Sequence, residues 1–404
     1  VLSSQSNKVT IDTVYYYGRA YGSSGNNQRL INSISVNVGG KSNIVQYYRS
    51  GVKSGEMVKV NDTLQGLQTY WYESGNKRQE VYYLDGYITK QTTWFENGTL
   101  RRIESFISVP RSYGRMRQVK QGLFMENYES GQLKRKGYYD SGGYANTWIH
   151  YYRSGQMERK ENYSHKLLDG KCSYWYSSGK LQKVSNFKVV NNEDYFAKSS
   201  GKYESYGARS AKYNKGWRQL RHGEQIQYYE NGQRKSLAEY EENQLNGDFK
   251  KWMQNGQLVY WREYKDNVIN GKNYLYFPDG KPQQIIKQYQ NDKKKGGYAY
   301  RTYYEGKYEK YYKNGQPYIV AKYKNRKLEG TYVEYYQNGN KKNERSYSNG
   351  LINGEAKSWF ANNQLKSTYN YKAIKQYLLF LKQYIMKTFL DVYLSLYHIL
   401  CHKI

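Results

Sequence analysis

The sequence predicts an all-β fold, an elongated single-layer array of tandem β-hairpin repeats followed by a C-terminal α-helix. Three observations predict it. A turn signal of the form aromatic-aromatic-x-(Asn/Ser)-Gly recurs at near-constant spacing, an aromatic ring keeps a fixed distance from each turn, and a second glycine keeps another. A fixed period of roughly 20 to 50 residues is the mark of a repeat architecture.

The turn glycines are Gly51, Gly75, Gly98, Gly131, Gly155, Gly179, Gly232, Gly256, Gly280, Gly315 and Gly339. In a twelfth copy Asn363 stands in that place, and asparagine is the other residue that tolerates the left-handed backbone region. Successive steps are 24, 23, 33, 24, 24, 53, 24, 24, 35, 24 and 24 residues. The three long steps read as insertions or degenerate copies, the longest hiding a worn copy that ends near Gly201. Eight residues after the turn comes a ring in ten of the twelve copies: Tyr83, Phe106, Tyr139, Tyr163, Phe187, Tyr240, Tyr264, Tyr323, Tyr347 and Tyr371. An aromatic content of 17% does not produce that by chance. Fifteen residues after the turn lies the second glycine, at Gly66, Gly170, Gly247, Gly271, Gly330 and Gly354. Gly122, Gly223 and Gly306 hold the same place measured back from the next turn.

Each copy therefore reads as one hairpin, an aromatic-rich strand closing on Asn-Gly or Ser-Gly and resuming with alternating residues such as Leu258 and Tyr260. The second glycine is assigned to the connection between hairpins or to close backbone approach. A lone hairpin is marginal in water, so stability is expected from stacking hairpin faces on their neighbours.

Composition agrees. Apolar residues are 38% of the 404, and 52 tyrosines account for much of that, which makes tyrosine the main burial material. A phenol buries its ring while its hydroxyl reaches water or backbone, which suits a thin structure. The net charge of +30, from 64 Lys+Arg against 34 Asp+Glu, draws the chain towards polyanions such as acidic proteins, anionic lipid or nucleic acid. Part of that excess is the solvated face of the strands.

The recurring Gly-x-x-x-x-(Tyr/Trp)-(Tyr/Phe)-x-(Asn/Ser)-Gly unit is clearest in Gly330 to Gly339 (GTYVEYYQNG) and Gly223 to Gly232 (GEQIQYYENG). It resembles the MORN repeat, and most closely the variant of bacterial antitoxin-like repeat proteins. The resemblance runs from about Lys41 to Tyr371. It implies an extended β array used for protein or lipid contact, with no catalytic residues to carry over. The regular Tyr-x-Gly-x-x-x-x-Gly cadence of the standard form is missing here.

The ends differ from the array. Residues 1–40 contain strand material, Tyr15-Tyr16-Tyr17-Gly18 and Ile34 to Val38, and are expected to be N-terminal capping strands. Residues 41–371 form the expected array. Residues 372–404 lack Gly and Pro, and an apolar face runs through Leu378, Leu381, Ile385, Phe389, Val392 and Leu396, so an amphipathic helix is predicted. Lys382, Lys387 and Asp391 interrupt it, leaving no uncharged stretch near the ~20 residues of a membrane span. Its expected roles are to cap the last strand, to dock a partner or second copy, or to lie in a membrane interface. The chain begins at Val1, which leaves a removed signal peptide or a trimmed start open. A cytoplasmic, cytoskeletal or cell-cortex location is favoured, with secretion not ruled out.

No enzyme is expected. Cys172 and Cys401 cannot build a disulfide framework or zinc site, and His150, His165, His222, His398 and His402 show metal-ligand spacing only in the tail pair. Glu73, Glu129 and Glu230 sit in turns, not paired in a cleft. Neither catalytic, cofactor nor metal site is expected, and no small-molecule substrate. The functional expectation is a basic scaffold for an acidic or cytoskeletal protein assembly or an anionic membrane surface. An antitoxin-like protein binder is the second reading. A nucleic-acid binder ranks third, with Lys293, Lys294 and Lys295 as its candidate polyanion contact.

Overall fold

The computed structural model describes residues 9–15, 31–111, 115–193, 216–293, 300–371 and 385–387, with backbone alone over 287–293 and 300–303. Within each of two compact units the described strands pair antiparallel, hairpin after hairpin, in an open meander. The chain divides into two compact units, Val1–Arg221 and His222–Ile404. The first runs from the strand Val9–Tyr15 to Trp217–Arg221, the second from Gly223–Tyr228 to Leu365–Tyr371.

The marked glycines make one turn type. At Tyr72-Glu73-Ser74-Gly75 the Gly75 N–H donates to the Tyr72 carbonyl at 2.9 Å, and the Tyr72 N–H donates to the Asn76 carbonyl at 2.8 Å. Gly75 has φ +88° and the pairing slips between Tyr70 and Trp71. This is a type I turn closed by a left-handed glycine, the three-residue hairpin loop with a G1 bulge. The same two bonds recur at all eleven glycines and at Asn363, whose φ is +68°.

A second turn type was not foreseen. Two-residue loops with both φ positive close the opposite edge at Gly39-Gly40, Asn61-Asp62, Asp85-Gly86, Ser141-Gly142, His165-Lys166, Glu242-Asn243, Asp266-Asn267, Asn325-Arg326 and Asn349-Gly350. They are type I′ turns, whose twist matches that of the strands they join. Each regular repeat thus contributes two strands, one G1 turn and one I′ turn. The hairpins do not stack face on face as the sequence suggested. They lie side by side, hydrogen-bonded into sheet, because the I′ turn returns the chain directly to its neighbour. The expected boundary between residues 40 and 41 falls inside the first I′ turn.

All three long steps lengthen the hairpin on the I′ edge. Leu100–Pro110 pairs with Met116–Lys120, Leu181–Asn191 with Trp217–Arg221, and Pro282–Lys293 with Tyr300–Tyr311. The G1 edge is left undisturbed. Gly201 lies outside the described residues.

The second glycine and the aromatic eight residues past the turn prove to be one feature. They face each other across the hairpin, as Gly66 and Tyr83, Gly122 and Tyr139, Gly170 and Phe187, Gly330 and Tyr347. The glycine is therefore not a linker residue. It sits in positive φ where the strand slips register against the preceding repeat, and a Cβ there would meet open space, so the backbone conformation is what calls for glycine. Asn146, with φ +55°, replaces it opposite Tyr163.

One face of each unit's sheet carries the core. In the first unit Phe124 and Trp148 are fully buried, and Trp148 stacks on Tyr144 at 4.1 Å and meets Tyr139 edge-on at 5.0 Å. The indole covers Gly137, and its N–H donates to the Tyr138 carbonyl at 2.9 Å. In the second unit Ile286, Tyr308 and Ala321 form the centre, with Tyr304, Tyr323, Ile319 and Tyr332 around them. Burial without a second layer comes in part from rings lying along the sheet over small residues such as Ala321.

Candidate interaction surfaces

Side chains stitch repeat to repeat along both edges. On the G1 edge, the second ring of the aromatic pair donates its hydroxyl to the carbonyl of the first aromatic one repeat on. Tyr48 bonds Trp71 at 2.7 Å, Tyr72 bonds Trp94 at 3.0 Å, Tyr152 bonds Trp175 at 2.7 Å and Tyr336 bonds Trp359 at 2.9 Å. Turn asparagines add a ladder, Asn231 Nδ2 reaching the Gln254 carbonyl and Asn314 Nδ2 the Gln337 carbonyl. On the I′ edge, the residue before the second glycine accepts from the next turn, Gln65 from the Asp85 N–H at 2.7 Å and Glu329 from the Asn349 N–H at 2.7 Å. The turn glycines, the aromatic pair and the ring beyond the turn are thus all engaged in architecture.

What remains are positions the frame leaves open. On the face away from the core, the residue after the second glycine pairs directly with the one before the ring. These pairs are Leu67 with Tyr82, Leu123 with Tyr138, Lys171 with Asn186, Glu224 with Glu239, Asp248 with Glu263, Lys307 with Lys322 and Thr331 with Ser346. Their character changes from apolar to acidic to basic over an unchanging backbone. Leu67, Tyr82, Leu123 and Tyr138 are all exposed. Glu239, Asp248 and Glu263 line a shallow cleft with Asn246 and Asn270, where Glu239 accepts the Asp248 N–H and Glu263 the Lys272 N–H. Those two carboxylates cap the backbone of the bulges at Gly247 and Gly271.

On the core face, one position per strand nearest the G1 turns forms a row through direct register pairs. In the first unit it reads Tyr70, Gln79, Thr93, Arg102, Glu126, Arg135, His150, Arg159, Tyr174, Lys183. Four consecutive repeats place a cation there, each four residues past its turn: Arg102, Arg135, Arg159 and Lys183. In the second unit Ser236, Tyr260, Gln284, Ile319, Asn343 and Ser367 occupy that place. Carboxylates beside this row are already held, Glu126 by Arg135 at 2.6 Å, Glu104 by Arg102 at 3.0 Å and Lys120 at 2.9 Å. Glu161 accepts from the hydroxyls of Tyr163 and Tyr174, both at 3.0 Å. Burial pushes those two phenols, and that of Tyr139, well above the ordinary range.

His150 is 5% exposed, and burial, reinforced by the adjoining Arg159 guanidinium, lowers its pKa to about 4. It is neutral at physiological pH. Arg159 Nη2 stands 3.4 Å from Nδ1 and has only protons to offer, so Nδ1 accepts and the ring proton belongs on Nε2. Nε2 is buried with no hydrogen-bond partner. Cys172 is fully buried, and burial raises its thiol pKa, which leaves it unreactive. Among the described residues no group of three or more His, Cys, Asp or Glu is placed to hold a metal, and no helix is long and apolar enough to cross a membrane.

Of the sequence candidates, all eleven turn glycines lie along the G1 edges, with φ from +83° to +91°. Lys293 ends a strand, paired with Tyr300, while Lys294 and Lys295 lie outside the described residues. Ile385 lies exposed in a helical turn at 385–387, and Leu378, Leu381, Phe389, Val392 and Leu396 lie outside the described residues. Sequence reading missed the cation row; its signal was a basic residue four past the turn in four successive copies.

A meander of two-strand repeats, latched on both edges and carrying variable rows, defines a tandem β-repeat protein. The repeats are of the MORN type. The MORN repeat variant matches residues 64–85, 120–141, 146–165, 168–188, 221–242, 304–325, 328–349 and 352–373, and the chain is a MORN-repeat protein. Each matched segment spans one G1 turn with the strands on either side of it, as 64–85 does around Gly75 and 328–349 around Gly339. No curated protein matches the chain. Among solved structures, TcdB2-TccC3 aligns with 90% of this chain at 12% identity and a TM-score of 0.15, this chain spanning 20% of its length. A porin-like protein from Bacteroides uniformis aligns with 59% of this chain and 86% of its own at 9% identity and a TM-score of 0.14. Neither superposition is close enough to carry an argument.

Proposed function

We propose that the chain is a non-enzymatic interaction scaffold, a basic MORN array that holds an acidic protein assembly or an anionic membrane or cytoskeletal surface. The observation that carries this reading is the division of labour within the repeat. Turn glycines, ring pairs and edge amides are consumed by the frame, whereas the outward pairs and the cation row vary from copy to copy while the backbone does not. Rows of that kind serve contact along a surface. The net charge of +30 sets the sign of the partner.

Sedimentation with vesicles of phosphatidylserine and phosphatidylcholine, and gel filtration with acidic protein, test it. Binding that weakens steeply between 50 and 200 mM salt is expected, since screening acts on exposed charges. Absence of salt-sensitive binding to either would refute the proposal. For the antitoxin-like alternative, the expected finding is one stoichiometric globular partner whose binding is insensitive to salt. Nucleic acid has weaker support, because the rings in repeat register are consumed as core and latch and are not free to stack on bases.

A further inference from the structure

The cation row has a pitch. Arg102, Arg135, Arg159 and Lys183 stand on every second strand of the first unit, linked through Glu126, His150 and Tyr174 by direct register pairs. Neighbouring strands lie about 4.8 Å apart, so the cations recur every ~9.6 Å and the four span about 29 Å. Their side chains keep partial exposure, 31% for Arg102, 29% for Arg135 and 39% for Arg159. The carboxylates of this chain approach the guanidinium groups at Nε, and a guanidinium has five N–H donors.

A partner that answers this row must present negative charge at the same interval on one side. A β-strand cannot, because residues three apart lie ~10 Å apart but point to opposite faces. A polyproline II segment does: it has three residues per turn and a rise of about 3.1 Å, so every third side chain returns to the same side after ~9.3 Å. Ten residues carry four such side chains over about 28 Å. The row also discriminates against a continuous polyanion. Glu126 lies between two of the cations and Glu161 beside Arg159, so charge spread without gaps would lie against carboxylates. A carboxylate on every third residue leaves neutral residues above them. Between Arg135 and Arg159 the row holds His150, neutral and buried, which adds no charge of its own between the two cations.

We propose that the row Arg102, Arg135, Arg159 and Lys183, with His150 at its centre, binds an extended acidic polypeptide segment of a partner protein that carries a carboxylate at every third residue. This rests on the scaffold reading above and names the chemistry of one partner. The segment lies across the strands, each carboxylate bridging to one cation.

The test compares two labelled decapeptides of identical composition on the full chain, by fluorescence anisotropy. One has glutamate at positions 1, 4, 7 and 10 with proline between. The other has the four glutamates in a block. The spaced peptide is expected to bind at least ten-fold more tightly. Arg135→Gln and Arg159→Gln should each weaken it five-fold or more, whereas Lys235→Gln and Lys342→Gln in the second unit should leave it unchanged. Since Arg135→Gln leaves Glu126 without its partner, the double variant Arg135→Gln with Glu126→Gln, checked by circular dichroism, must show the same loss. Equal affinity for the two peptides would overturn the proposal without any variant. So would salt-sensitive binding of acidic peptide or anionic vesicles that is indifferent to the row, which would leave the scaffold reading standing. A single-stranded RNA decamer that binds more tightly than the spaced peptide with the same dependence on the row would also overturn it, in favour of nucleic acid. No salt-sensitive binding of any kind would remove both readings together.

Discussion

Replacing Gly137 by alanine tests whether the core is built as described, because its consequence can be worked from one contact. An ideal Cβ at Gly137 would lie 2.2 Å from Trp148 Cδ2 and 2.4 Å from Cε2, distances that non-bonded carbons do not reach. The indole would have to leave. It is fully buried, stacked on Tyr144 and bonded through Nε1 to the Tyr138 carbonyl, so no small shift keeps both contacts. Forcing extra volume into a packed site costs about 1–3 kcal/mol. Loss of the indole hydrogen bond adds roughly 1 kcal/mol. Alanine regains about 0.5 kcal/mol over glycine in strand backbone. The net expectation is destabilisation of about 1.5–3.5 kcal/mol. Urea denaturation followed by tryptophan fluorescence measures it, and near-ultraviolet circular dichroism reports the lost stacking. A variant within ~0.5 kcal/mol of the parent, with its aromatic dichroism intact, would show that Trp148 does not cover Gly137.

At Gly75 the space is open but φ is +88°, so Gly75→Ala should cost about 1–2 kcal/mol through backbone strain alone; Gly75→Asn should cost less, and equal losses in urea denaturation would contradict that cause. Tyr152→Phe removes the hydroxyl that donates to the Trp175 carbonyl and should cost about 1 kcal/mol, with faster amide exchange near Gly179. His150, at about 4 when folded against an ordinary 6.5, stays neutral in the native state while the unfolded chain takes up a proton. Stability should therefore fall by up to about 3 kcal/mol as pH drops from 6.5 to 4, with no His150 contribution above 6.5. His150→Gln should lack that part of the slope, and identical slopes in denaturation at stepped pH would refute it.

The G1 half of the repeat was legible because its signal is compositional. Only glycine, or Asn363 in its place, takes the left-handed position cheaply, so the residue type survives in every copy. The I′ half was not, because two-residue turns accept several polar residues: His165-Lys166, Glu242-Asn243 and Asn325-Arg326 share no letter pattern with Asp85-Gly86. Gly66 and Tyr83 were each found by spacing, but their pairing across the hairpin depends on strand register, which spacing alone does not convey. The cation row was hidden for the same reason. Arg135 and His150 are fifteen residues apart in sequence and adjacent in the sheet, and nothing but register brings them together.

The frame constrains where function can lie. A regular repeat such as the one around Gly155 fixes its turns, its latch tyrosine and its ring opposite a left-handed residue, and a change at any of these reaches the neighbouring repeat as well. The outward pair and the row nearest the G1 turn are bound by no such demand, since the backbone is the same whether the pair is Leu67 with Tyr82 or Asp248 with Glu263. Like charges directly opposite in a sheet are destabilising, by up to about 1 kcal/mol relative to alanine. Glu224 with Glu239, Asp248 with Glu263 and Lys307 with Lys322 are all of that kind. Glu239 and Glu263 offset the repulsion by capping bulge amides, a local structural use. Lys307 is drawn instead to Glu309 on its own strand, and Lys322 opposite it is exposed. The row of Arg102, Arg135, Arg159 and Lys183 goes further. It gathers cations on a face that also buries the core, beside a histidine kept neutral at some cost in stability at low pH. The same position in the second unit holds Ser236, Gln284, Asn343 and Ser367 among others, so the frame tolerates uncharged residues there and does not itself call for four cations.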